Sequence, residues 1–153
     1  MATQMANEYL RHTLSTIAYR FQKSVHNTSE TFGDFYLGKS VRTPIEIINH
    51  MYRVLHWTRT FIQEESFDKI APEILDLEGE IERFNNELEA LDNLLSSREL
   101  GINYAKRLLQ GPLSDILTHV GQLSMLCRLD DHPIEGEDFS SAPIKTGVVS
   151  YSH

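Results

Sequence analysis

The chain has 153 residues, 41% hydrophobic and 24% charged, with a formal net charge of −8 at pH 7. That is enough chain for one domain with a real core, and it is too apolar for a disordered segment. The acidic balance, with no basic patch to offset it, argues against a phosphate-backbone binder. No apolar run approaches the ~20 residues that a membrane-spanning helix needs. The start, "MATQMANEYLRHT", is too polar for a secretory core. Cys127 is the single cysteine, so no internal disulfide is available, and its place on an apolar helix face suits a buried thiol better than a reactive one. The expectation is one cytoplasmic domain, residues 1–153, without a nucleic-acid or membrane partner.

Helical periodicity begins at about Asn7 and runs to about His26. Leu10, Leu14, Ile17, Ala18, Phe21 and Val25 follow the three-and-four spacing of one buried face. The connection that follows, "NTSETFGDFYLGKSVR", is longer than most helix–helix loops. Its aromatic residues Phe32, Phe35 and Tyr36 favour a loop packed down on the core over a purely functional one. A second helix announces its start in "TPIE": Thr43 as N-cap, Pro44 at the first helical position and Glu46 closing a capping box. From Pro44 to about Ile62 its apolar residues cover an arc wider than one partner helix buries. His50 projects within that arc, near Val54, Trp57 and Phe61, and His56 projects on the opposite side.

The third helix is expected over about 72–95. Ile74, Leu77, Ile81, Phe84, Leu88, Leu91 and Leu95 form an unbroken seam for shallow-angle packing. Its outer positions are mainly acidic and read as a solvated face, with Glu80 flanking the seam. The fourth helix is expected to begin near "QGPLSD" and to span about 112–129, with Leu113, Ile116, Leu117, Val120, Leu123 and Cys127 as its core arc. Prolines, glycines and the loss of helical period then predict an irregular tail over 130–153, draped on the bundle or paired with a neighbour. With no strand alternation, the fold class is all-α, an antiparallel four-helix bundle.

One feature of the fourth helix is not explained by packing. Asp115 and His119 lie 40° apart around the axis at the margin of the apolar arc, and Gln122 follows. Side chains at that spacing reach one point in space. His50, from another helix, completes a three-donor set of the kind that bundles build between facing helices. Two imidazoles and a carboxylate suit zinc, nickel or iron and leave coordination positions open. The plain alternatives are a core histidine bonded to a carbonyl and an Asp–His pair decorating a helix edge, worth ~0.3–0.5 kcal/mol. No G-x-S-x-G and no H-E-x-x-H is present.

Several stretches resemble the DinB-like superfamily. "RTPIEIINHM" is similar to that family's second helix, with His50 at its metal-binding histidine. "LTHVGQLSMLCRL" is similar to its fourth helix, whose H-x-G-Q-L signature is matched by His119, Gly121, Gln122 and Leu123. "PIEGEDF" resembles the segment that follows, and "LRHTLSTIAYR" and "EIERF" resemble first- and third-helix stretches of one bacterial branch. The likeness spans about residues 9–139.

The resemblance implies an antiparallel four-helix bundle with a divalent metal held by three side chains, usually histidines. His50 and His119 match two of them. The third position, one turn before His119, holds Asp115 instead, a competent ligand that changes metal preference. Relatives implied by the resemblance include metal-dependent hydrolases and thiol-dependent transferases acting on small molecules, and homodimers. In that reading Gln122 orients a ligand or substrate, and Glu80 or a tail residue is the candidate base. A non-catalytic bundle that binds a small ligand or protein partner is the competing expectation.

Overall fold

The computed structural model describes residues 2–66 and 71–153, which are helical and contain no strand. Its elements are α1 (Ala2–Val25), α2 (Pro44–Glu64), α3 (Leu77–Ser97), α4 (Ile102–Leu108) and α5 (Ser114–Leu129). A π-helical segment, Leu109–Leu113, joins α4 to α5, and single 3-10 turns lie at Phe32–Asp34 and Phe139–Ser141. α1 packs against α3 and α5, and α2 packs against the same two helices. The apolar stripes expected from the periodicity meet in one core: Leu14, Ile17, Phe21, Ile48, Met51, Leu55, Phe84, Leu88, Ile116 and Leu123 are wholly buried. Phe21 and Phe84 meet edge to face with ring centroids 4.7 Å apart, a contact worth about 0.5–1.5 kcal/mol beyond its area.

The start of α2 is as the sequence dictates. The Thr43 hydroxyl accepts from Glu46 N–H, and the Glu46 carboxylate accepts from Thr43 N–H, satisfying two otherwise orphaned donors. The bonds that Thr43 donates to it, from its N–H and its hydroxyl, hold the Glu46 carboxyl below its ordinary pKa. α2 packs on α3 and α5 and buries Ile47, Ile48, Met51, Leu55 and Ile62, while Val54, Trp57 and Phe61 of its broad apolar arc stay partly exposed.

Three boundaries differ from expectation. α1 starts at Ala2 rather than about residue 7. α3 starts at Leu77, not at 72, because Asp76 caps it by accepting from Gly79 N–H while the Glu80 carboxylate accepts from Leu75 N–H. The chain before Asp76 is thereby held outside the helix, and Ile74 is exposed rather than part of the seam. The third difference is the helical run before α5. Gly111 and Pro112 look like a helix start, yet the helical backbone continues from Ile102 through both of them to Leu129. Pro112 has no N–H and its ring crowds the carbonyl four residues back. The widened π turn absorbs that conflict, with Ser114 N–H reaching back five residues to Leu109 O.

Polar groups on α1 fix the α3–α4 corner and the tail. Asn7 Nδ2 donates to Leu95 O and Arg98 O while its Oδ1 accepts from Leu100 N–H, closing the end of α3. Arg11 donates two bonds to Asp92. The tail lies on α1: the Gln22 amide donates to Val149 O and accepts from Tyr151 N–H, and Glu137 accepts from Tyr19 and Lys23. The Lys23 bond holds the Glu137 carboxyl below its ordinary pKa. Tyr19 also meets Phe139 and Tyr151 edge-on, so the segment expected to be irregular is strapped down by specific contacts.

Cys127 is buried and its thiol donates to Ser24 O at 2.9 Å. Burial pushes its pKa up to about 11. A thiol-specific reagent at pH 8 is therefore expected to label the native chain more than ~100-fold more slowly than the unfolded chain, since the thiolate is the reacting form. Comparable rates in the two states would show that the thiol is open to solvent.

Candidate metal centre

Two helices bring the site together. α2 carries His50 two turns after its cap, and α5 carries Asp115 and His119 one turn apart on the side that packs against α2. Asp115 Oδ2 lies 3.5 Å from His50 Nε2 and 3.4 Å from His119 Nε2. The two imidazole rings stand nearly perpendicular, with centroids 4.8 Å apart. One donor atom from each of the three residues falls within 4.8 Å of the others. All three candidates named from the sequence are therefore adjacent, although His50 is separated by more than sixty positions from the other two.

Burial is graded across the cluster. The His119 side chain is 10% exposed, His50 26% and Asp115 44%, so the site is closed at the imidazole end and open at the carboxylate. His119 Nδ1 donates to Gln122 Oε1 at 2.8 Å. In the neutral ring this fixes the tautomer: Nδ1 carries the proton and Nε2 presents a lone pair. That lone pair faces a carboxylate oxygen, an unfavourable pairing that a cation between them reverses. Burial lowers the pKa of His50, with Arg42 and His119 pushing the same way and Asp115 pulling it back. A lowered pKa favours the neutral imidazole, which is the form that binds metal.

The spacing can be tested against coordination chemistry. Ligand atoms about 2.1 Å from a tetrahedral zinc ion lie about 3.4 Å from one another. The two imidazole–carboxylate separations, 3.5 and 3.4 Å, match that value. They are long for direct hydrogen bonds, whose N–H···O distances cluster near 2.9–3.0 Å. The group of His50, Asp115 and His119 could hold a metal ion.

Beside Asp115 a cleft of about 650 Å³ opens between α2 and the π segment. Val54, Trp57 and Thr58 form one wall, and Pro112, Ser114 and Thr118 form part of the other. Asp115 belongs to both the cluster and the cleft. Comparison with protein-family models, with curated proteins and with solved structures finds no match. The family resemblance therefore rests on the residues quoted above.

Other expectations for the site are corrected. Glu80, the candidate base, is fully buried, and its carboxylate accepts from Asn49 Nδ2, Leu75 N–H and Arg83. It anchors the start of α3 to α2 and is committed to that task. No tail residue is among those that converge with His50 or line the cleft, because the tail is docked on α1. His56 lies away from the cluster, 3.4 Å from Glu87, which Arg59 also binds. The cleft itself was not foreseen, since it depends on the π turn, and the only hint was the Gly111–Pro112 pair inside a helical run.

Proposed function

We propose that this chain is an antiparallel four-helix bundle of the DinB-like type. In this reading His50, Asp115 and His119 hold one divalent first-row transition metal, zinc foremost. The reading is carried by one observation: two imidazole Nε2 atoms lie 3.5 and 3.4 Å from one carboxylate oxygen, donor atoms of all three residues fall within 4.8 Å of one another, and Gln122 orients the second imidazole. The pairwise packing of α1 and α2 against α3 and α5 supports the bundle, and the H-x-G-Q-L match supports the family.

The function proposed is metal-dependent hydrolysis of a small molecule. A metal held by three protein ligands has room for water, lowers that water's pKa towards neutrality and polarises a carbonyl. The residues of the chain supply the rest. His119 is held in one tautomer by Gln122, His50 is kept neutral by burial, and Asp115 contributes the negative charge that offsets the ion. The cleft beside Asp115 provides the space for a substrate.

The direct test is elemental analysis of protein purified without chelator, followed by titration of the stripped chain with zinc, nickel and iron(II). Near-stoichiometric metal, restored on titration and absent from a chain with both His50 and His119 replaced by alanine, is the expected result. Failure of all three metals to bind leaves the bundle as a non-catalytic binding protein.

A further inference from the structure

A second concavity lies between α1 and α4. Asn7 Oδ1 accepts from Leu100 N–H near one end of α1, and the Cys127 thiol meets Ser24 O near the other. The run from α4 to α5 therefore travels beside α1 in the same direction, and a lengthwise groove of about 410 Å³ opens between them. Ala6, Leu10 and Ala105 are buried and form its floor, which the two alanines keep low. Met5, Tyr9, Ile102 and Leu109 stand 45–74% exposed as its walls. On α1 the lining runs from Met5 to Thr13, about 12 Å at 1.5 Å per residue. Three lining side chains carry polar groups. Lys106 brings an ammonium, Tyr9 a phenol hydroxyl, and Thr13 a hydroxyl whose proton goes to Tyr9 O. No aspartate or glutamate lines the groove, in a chain with 22 acidic residues against 14 basic ones. Lys106 has no ion-pair partner among the described residues.

We infer that this groove binds an unbranched aliphatic monocarboxylate, its chain laid lengthwise between α1 and α4 and its carboxylate at Lys106. A mostly apolar cleft with a few polar groups that fix orientation is the pattern of a small-molecule site. With C–C bonds near 1.5 Å, an extended chain of about ten carbons matches the length of the groove. The charge selects the head. A carboxylate gains Lys106 and meets no acid in the lining, whereas an alkylammonium meets Lys106 as a like charge. The competing occupant is a second copy of the chain. Nine residues line the groove, against the ~20–30 per side of a stable protein interface, and that difference favours the small ligand. None of His50, Asp115 and His119 is in the lining, so the inference is independent of the metal centre.

The full chain, stripped of metal, is titrated by calorimetry with decanoate, decanol and decyltrimethylammonium, each below the concentration at which it self-associates. Decanoate is expected to bind at one site per chain, at least fivefold tighter than decanol and at least twentyfold tighter than the ammonium. Hexanoate is expected to bind at least tenfold more weakly than decanoate, since it leaves part of the walls uncovered. Lys106→Gln is expected to bring decanoate down to the affinity of decanol while leaving decanol unchanged, and Ile102→Ser to weaken both. Both positions are exposed, which keeps the fold out of the comparison. No saturable decanoate binding, equal affinity for the three heads, or an unchanged decanoate-to-decanol ratio in Lys106→Gln overturns the inference. So does a parent chain that sediments as a dimer and becomes a monomer on Ile102→Ser, which gives the groove to a second copy.

Discussion

His119→Ala is expected to weaken zinc binding by about two orders of magnitude. Four-ligand structural zinc sites bind with roughly 10–16 kcal/mol, so one ligand is worth on the order of 3 kcal/mol, and each 1.4 kcal/mol is about tenfold. The loss reads out twice, in the zinc isotherm and in the thermal melt. A metal at about 100 times its dissociation constant adds about 2.7 kcal/mol of stability, so a chelator-sensitive melting shift in the parent chain disappears in the variant. Gln122→Leu, which removes only the acceptor that orients His119, is expected to cost about tenfold. Asp115→His, which makes an all-imidazole set, is expected to keep the site loaded and to move its preference towards softer ions. His56→Ala, away from the cluster, serves as the control and should leave the isotherm in place. A zinc isotherm for His119→Ala that overlays the parent curve would remove the metal centre altogether.

Glu80→Ala is expected to produce the largest loss of stability among the polar positions, about 3 kcal/mol. Breaking a buried ion pair costs roughly 3–5 kcal/mol because the surviving charge is stranded. Arg83 is 21% exposed and recovers part of that through water, which places the expectation at the low end. The substitution also leaves Asn49 Nδ2 and Leu75 N–H without the carboxylate that accepts from them. Denaturant melts of the metal-free chain measure this directly. Zinc affinity per folded molecule should stay within about threefold of the parent, because Glu80 belongs to the anchor of α3 and to no ligand contact. A variant as stable as the parent would show that the buried carboxylate is dispensable. A stable variant that had lost zinc would return Glu80 to the site.

Much of this arrangement was legible from residue order. The capping box at Thr43 needs only three residues at fixed offsets, and local bonds satisfy it whatever the rest of the chain does. The apolar stripes of α1, α3 and α5 report burial through periodicity, and their residues lie in the core. Asp115 and His119 were readable as a pair because helix geometry fixes their spacing, and His50 because an imidazole among apolar neighbours wants a partner. The misses share another character. The start of α3 is decided by a bond from Leu75 N–H to Glu80 and by the Asp76 cap, a competition that hydrophobic period does not register. Asn7 and Arg11 read as ordinary polar positions, and their worth lies in partners more than eighty residues away. The cleft was invisible for a similar reason. Its walls come from α2 and from the π turn, and that turn leaves no mark in the hydrophobic period.

The π turn at Leu109–Leu113 has an arithmetical consequence. A helix advances about 100° per residue, and this turn holds one residue more than an α turn would. Excise that surplus, for example by deleting Gly111, and everything downstream rotates by roughly a quarter-circle against α2. Asp115 and His119 would sweep away from His50 while remaining correctly spaced from each other. In a loop an insertion or deletion is absorbed by slack chain, but here a single-codon change would act as a gear slip that separates two intact halves of the cluster.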